Sequence, residues 1–120
     1  MNHRDNVSVD PDRIEVLQMQ LGAVAAEDVI VRAMSELSAR FSQLQSANGE
    51  TDRAKIYKLS RGISAIADQV GMVTLARVAA DVSNCANSGD EAAFQATLAR
   101  LCRIGDCSLT LVWDLSGQSI

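Results

Sequence analysis

The sequence predicts an all-α protein: an up-down antiparallel four-helix bundle with a short additional N-terminal helix. Three observations carry this expectation. Hydrophobic residues make up 48% of the 120, yet only four are aromatic, so a core must be assembled from Ala, Leu, Val, Ile and Met. Pro occurs once and Gly seven times, which leaves long uninterrupted stretches of good helix formers. Apolar residues recur at steps of three and four, the period of an amphipathic helix.

Residues 1–9 form a polar, flexible tail, and a single domain spans residues 10–115. Asp10-Pro11-Asp12 opens the first helix, with Asp10 as N-cap, Pro11 at the first helical position and Asp12 complementing the dipole. Ile14, Leu17 and Leu21 mark its buried stripe, and it stops near Gly22. The second helix is expected to begin between Ala25 and Asp28. Its stripe is Ile30, Ala33, Met34, Leu37, Phe41 and Leu44, and Asn48 or Gly49 supplies a left-handed end.

The third helix is the centre of the chain, running from Thr51 to Gly71. Ile56, Leu59, Ile63, Ile66 and Val70 form its buried stripe, while Ala54, Lys58, Arg61, Ala65 and Asp68 form a second stripe facing water. The fourth helix carries Leu75, Val78, Ala79, Val82 and Ala86 and ends at Asn87-Ser88-Gly89. The fifth starts at Asp90-Glu91 and carries Phe94, Leu98, Leu101 and Ile104, then Leu109 and Val112. Its last turns are apolar all round, and residues 116–120 are a polar tail. Short links join only neighbouring helix ends, which predicts the antiparallel arrangement.

Charge and inventory narrow the function. A net charge of -4 and a pI near 4.8 argue against nucleic acid as a partner, because phosphate backbones demand a basic stripe. No apolar run approaches the roughly 20 residues of a membrane helix, and the N-terminal residues carry no signal-peptide pattern, so a cytoplasmic location is expected. Cys85, Cys102 and Cys107 lack CxxC spacing and read as reduced, buried small hydrophobes. The one histidine, His3, lies in the tail, which removes Ser-His-Asp, Cys-His and HExxH arrangements and leaves zinc without ligands. Neither a Walker loop nor a GxGxxG is present. The expectation is a protein that is not an enzyme and needs no cofactor or metal.

The third helix nevertheless carries a pattern. Arg61-Gly62-Ile63-Ser64-Ala65 is followed by small residues and then by Val70-Gly71. Asp52 stands nine residues before Arg61, and Ser88-Gly89-Asp90-Glu91 leads into AAFQATLARL. In joint spacing, over residues 10–115, the chain resembles a histidine phosphotransfer (HPt) domain, whose motif is His-x-Leu-Lys-Gly followed by an apolar residue and Gly. Ile63 falls on the apolar position and Val70-Gly71 on the closing pair. Arg61 occupies the phosphoaccepting histidine's position, Ser64 the lysine's and Ala65 the glycine's. A guanidinium stays protonated and is no nucleophile, so the relay chemistry is lost.

The resemblance implies a pseudo-HPt module of a two-component system or phosphorelay. It would bind a response-regulator receiver domain or a histidine kinase without carrying the phosphoryl group. Lys58, Arg61, Ser64, Ala65 and Asp68 form its partner-binding face, with Arg77 extending the positive rim. The alternative is a self-associating or scaffold bundle, a homodimer held through the apolar segment Leu109, Leu111, Val112, Trp113 and Leu115.

Overall fold

Asp10 and Asp90 open helices, and Gly22, Gly71 and Gly89 follow helix ends, as expected, whereas both ends of the second helix differ from expectation. The computed structural model describes residues 10–49 and 52–115, with side chains described as far as residue 105. Among these residues there are five helices and no strand: α1 Pro11–Leu21, α2 Ala23–Gly49, α3 Arg53–Gln69, α4 Val73–Ala86 and α5 Glu91–Leu115. The two predicted tails, His3, and the side chains of Cys107, Leu109, Leu111, Val112, Trp113 and Leu115 lie outside the described residues.

The Asp10 carboxylate caps α1 by accepting the Asp12 N–H at 3.0 Å, with Pro11 at the first turn. Asp52 caps α3 through the Lys55 N–H at 3.1 Å, and Asp90 caps α5 through the Ala93 N–H at 3.0 Å. Gly22, at φ +86°, both closes α1 and opens α2. Its N–H donates to the Gln18 carbonyl and its own carbonyl accepts from Ala26. The second helix therefore starts at Ala23, earlier than the expected Ala25–Asp28, and Glu27 and Asp28 fall in its second turn. At the other end α2 stays helical through Gly49, which does not adopt the expected left-handed turn. The Asp52 N–H reaches back to the Ala47 carbonyl there, at 2.9 Å.

Packing runs from α2 onto α3, from α3 onto α4, from α4 onto α5, and from α5 back to α2. The core is aliphatic: Leu37, Leu44, Ile63, Leu75, Val82 and Leu101 are each 1% exposed or less. Burial of each such side chain stabilises by about 1.5–3 kcal/mol. Gly105 of α5 is needed because the Phe41 ring lies where a Cβ would sit.

Three expectations about burial are corrected. On α3 the buried face is Ile56, Ser60, Ile63, Ala67 and Val70, while Leu59 and Ile66 are only half-buried at its edge. Ser60 and Ala67 are as fully buried as Ile56 and Ile63, and Ser60 satisfies its hydroxyl on the Ile56 carbonyl. Similarly, α1 buries nothing fully; Ile14 and Leu17 are half-buried and Leu21 is 47% exposed. A helix of 11 residues that packs on α2 and meets the rest only at its start leaves much of its surface uncovered. Cys85 and Cys102 are half-buried against the core, not fully buried, because they flank the inward stripes of α4 and α5.

What holds α1 is polar and lies at its start. The Asp10 N–H donates to the Gly71 carbonyl at 2.7 Å, and the Arg13 guanidinium donates to the Asp68 carbonyl. Gly71, at φ +80°, ends α3, and a Cβ there would stand 2.9 Å from Arg13 Cβ and 3.1 Å from the Asp10 carbonyl. Gly89 has a similar φ of +83° but open space around it. Gly71→Ala is therefore expected to cost about 1–3 kcal/mol from backbone strain plus the clash, and more than Gly89→Ala. Urea unfolding of the two variants checks this; equal losses would mean that α1 contributes nothing at Gly71.

At the opposite end Arg53, at the start of α3, pairs with Glu91, at the start of α5. The guanidinium also lies 4.2 Å from the centre of the Phe94 ring. The amide of Gln95 and the guanidinium of Arg53, both donating to Glu91, hold its carboxyl below the usual glutamate range. A depressed folded-state pKa stabilises above the unfolded value and is lost as the pH falls through the folded one. Glu91→Gln is thus expected to differ most from the parent above about pH 4.5 and to converge on it as the pH falls below that value. Thermal melts between pH 3 and 7 read this; a constant difference across the range would exclude the carboxylate as its cause.

Candidate functional site

Charge is unevenly distributed along the chain. Of its 11 basic residues, α3 holds four, Arg53, Lys55, Lys58 and Arg61, but only one of its 15 acidic residues, Asp68. A basic helix on an acidic protein produces a local field of opposite sign to the whole. The stripe expected to face water does so: Ala54, Lys58, Arg61, Ala65 and Asp68 are all exposed.

Between this stripe and α4 lies a cleft of about 500 Å³. Arg61, Ser64, Ala65 and Asp68 line it from α3, and Arg77 and Ser83 are among those lining it from α4. Lys58 stands on the same stripe one turn before Arg61 but does not line the cleft. The α4 wall is completed by Val73 and by the small residues Ala76 and Ala80, one turn apart. That spacing of small residues on α4 is the one signal of this wall in the sequence, and it points nowhere until the pairing of the helices is known.

Each lining side chain has a distinct state. Arg61 is exposed and leans back along α3, donating to the Tyr57 hydroxyl at 3.2 Å with its guanidinium 5.7 Å from the ring centre. Arg77 is exposed too. Among the described residues neither arginine, nor Lys58, has a carboxylate partner. Asp68 is engaged: Arg13 of α1 reaches within 3.9 Å of its carboxylate while bonding its carbonyl. Ser64 is not the free surface serine that its place on the motif suggests. It is half-buried, and its hydroxyl donates across to the Ala76 carbonyl of α4 at 2.8 Å. Gly62, beside Arg61, faces the other way, where a Cβ would stand 3.0 Å from Arg40 Nε of α2.

The arrangement sets two guanidiniums that have no carboxylate partner among the described residues beside a shallow floor of mostly small side chains. Guanidinium groups bind oxyanions in a forked geometry. What these two side chains can offer is recognition of negative charge.

No protein-family model, curated protein or solved structure matches the chain. The candidate site rests on its own geometry.

Because Ser64 ties α3 to α4, Ser64→Ala is expected to destabilise the protein by about 0.5–1.5 kcal/mol, the net value of such a hydrogen bond. The Ala76 carbonyl keeps its helical partner, so the loss should not exceed this. Chemical denaturation measures it; no change in midpoint would show that the bond contributes nothing.

Proposed function

We propose that this chain is an HPt-like signalling module of a two-component system or phosphorelay, which binds a receiver domain or histidine kinase without itself carrying the phosphoryl group. In this reading α2, α3, α4 and α5 form an up-down antiparallel four-helix bundle and α1 is the short additional helix. The order in which the helices pack, each on its successor and the last returning to the first, supports that architecture.

The observation that carries the functional reading is Arg61. It occupies the position that an HPt domain gives to its phosphoaccepting histidine, on the exposed face of α3, and it has no carboxylate partner among the described residues. A receiver domain gathers carboxylates around its phosphoaccepting aspartate, and a basic helix on an acidic chain complements that pocket. Such charge pairing favours orientation and rapid association over raw affinity. Ala65 and the small residues of α4 keep the surroundings shallow enough for a partner's loops to approach Arg61. Ser64 supports the site by tying its two helices together, and its hydroxyl hydrogen is not presented to a partner. The protein would then occupy a receiver and compete with phosphotransfer partners.

Titration against a panel of receiver domains and histidine kinases tests this. Binding to at least one is expected, weakened by about tenfold or more in Arg61→Ala and abolished in Arg61→Glu, where a carboxylate would meet carboxylates. Arg61→His, offered phosphorylated receivers, asks in addition whether an imidazole at this position takes up phosphate. Receiver binding that is unchanged in Arg61→Glu would overturn the proposal.

A further inference from the structure

The donors and acceptors of the α3–α4 cleft restrict what it can hold. Both hydroxyl hydrogens are committed, Ser64 to the Ala76 carbonyl and Ser83 to the Ala80 carbonyl, each at 2.8 Å. Arg61 uses one N–H on Tyr57, and Arg77 uses none among the described residues. The hydrogens left to donate therefore belong to guanidinium groups, and the ligand must be an acceptor. Among the described residues, the one carboxylate lining the cleft is Asp68, which Arg13 of α1 approaches. No aromatic side chain among the described residues lines the cleft to stack a base.

Geometry separates the two common oxyanions. A carboxylate is planar and is satisfied by one guanidinium fork. Arg61 and Arg77 line the cleft from different helices, and Arg61 would turn from Tyr57 to meet a ligand there. A tetrahedral group with three terminal oxygens and nearly two charges can engage both at once.

We propose that the cleft is a site for a phosphoryl group presented on a partner protein, with Arg61 and Arg77 as its two ligands, so that the protein distinguishes the phosphorylated from the unphosphorylated partner. The partner's class rests on the reading given above, whereas the anion site does not. Arg13 is a positioning residue in this scheme. It touches no ligand but holds the Asp68 carboxylate, which would otherwise oppose the incoming charge.

The test uses the full chain, with phenyl phosphate and benzoate as probes of equal ring and different oxyanion, followed through the arginine Nε–Hε and the lysine Cε–Hε resonances at pH 7.5. Phenyl phosphate is expected to bind about tenfold more tightly than benzoate and to shift Arg61 and Arg77 together. Arg61→Gln and Arg77→Gln should each remove most of that preference, and Arg13→Gln should weaken phenyl phosphate about two- to fivefold without altering which resonances respond. Equal affinities for the two probes, or shifts at Lys55 and Lys58 as large as at the arginines, would overturn the site as diffuse attraction to a basic helix. A second arm compares a bound receiver domain with its beryllofluoride form, which mimics the phosphorylated aspartate. Tighter binding of that form, lost in Arg77→Gln, supports the proposal. Phenyl phosphate selectivity without binding of any receiver or kinase would retain the anion site and remove the phosphorelay reading. Equal binding of both receiver forms through Arg61, with no phosphate preference, would do the reverse.

Discussion

At Gly71 the chain turns from α3 into α4 with φ +80°, a conformation that side chains with a Cβ resist. The turn closes in a double hydrogen bond. The Met72 N–H returns to the Ala67 carbonyl at 2.8 Å and the Gly71 N–H to the Asp68 carbonyl at 3.2 Å, while Met72 and Ala67 are both buried beneath. This geometry brings α4 back along α3 closely enough for the Ser64 hydroxyl to reach the Ala76 carbonyl. It also offers two acceptors outward, the Gly71 and Asp68 carbonyls, and those receive the start of α1. The walls of the cleft and the docking of the first helix thus depend on one turn and its absent Cβ.

Features determined by neighbours along the chain are legible in the amino-acid sequence. Asp10, Asp52 and Asp90 announce helix starts because a short carboxylate bonds backbone N–H groups two or three residues ahead. Gly71 and Gly89 announce stops for an equally local reason. The stripe from Ile30 to Leu44 is readable because its members sit on one face of one long helix, although Ile30 at its start is only half-buried. The errors arise where distance along the chain matters. Weight of hydrophobicity includes Leu59 and Ile66 in the buried face of α3, but the fully buried positions beside Ile56 and Ile63 are Ser60 and Ala67. The apolar residues of α1 have helical spacing, yet nothing local reveals that only α2 covers them. Partners such as Arg13 and Asp68, 55 residues apart, leave no mark on either segment.

The candidate site divides along the same line. The exposed stripe of α3 follows from periodicity, and its charge from counting. Its second wall requires the pairing of α3 with α4. Arg77 can be named from the sequence as a nearby cation, but not as a residue lining the same cleft as Arg61. Ser64 departs from expectation for a related reason: a serine at the motif's lysine position reads as a surface group until a carbonyl from another helix is found 2.8 Å away.

The link between α1 and the cleft has an energetic consequence in both directions. Arg13 and Asp68 are 41% and 70% exposed, so the pair itself contributes at most about 1 kcal/mol and is screened by salt. Its effect on an anion in the cleft has the same modest scale, since it acts by holding one carboxylate. Linkage makes the effect reciprocal: if docked α1 favours the anion, then a bound anion favours docked α1 by the same free energy. A helix with no fully buried residue, attached to α2 through the single residue Gly22, is the element of this fold for which so small a bias matters most. A buried helix would be insensitive to a fraction of a kilocalorie, whereas α1 is held by few contacts and two of them involve Asp68. Occupancy of the cleft would therefore be felt at α1 before it is felt anywhere in the core.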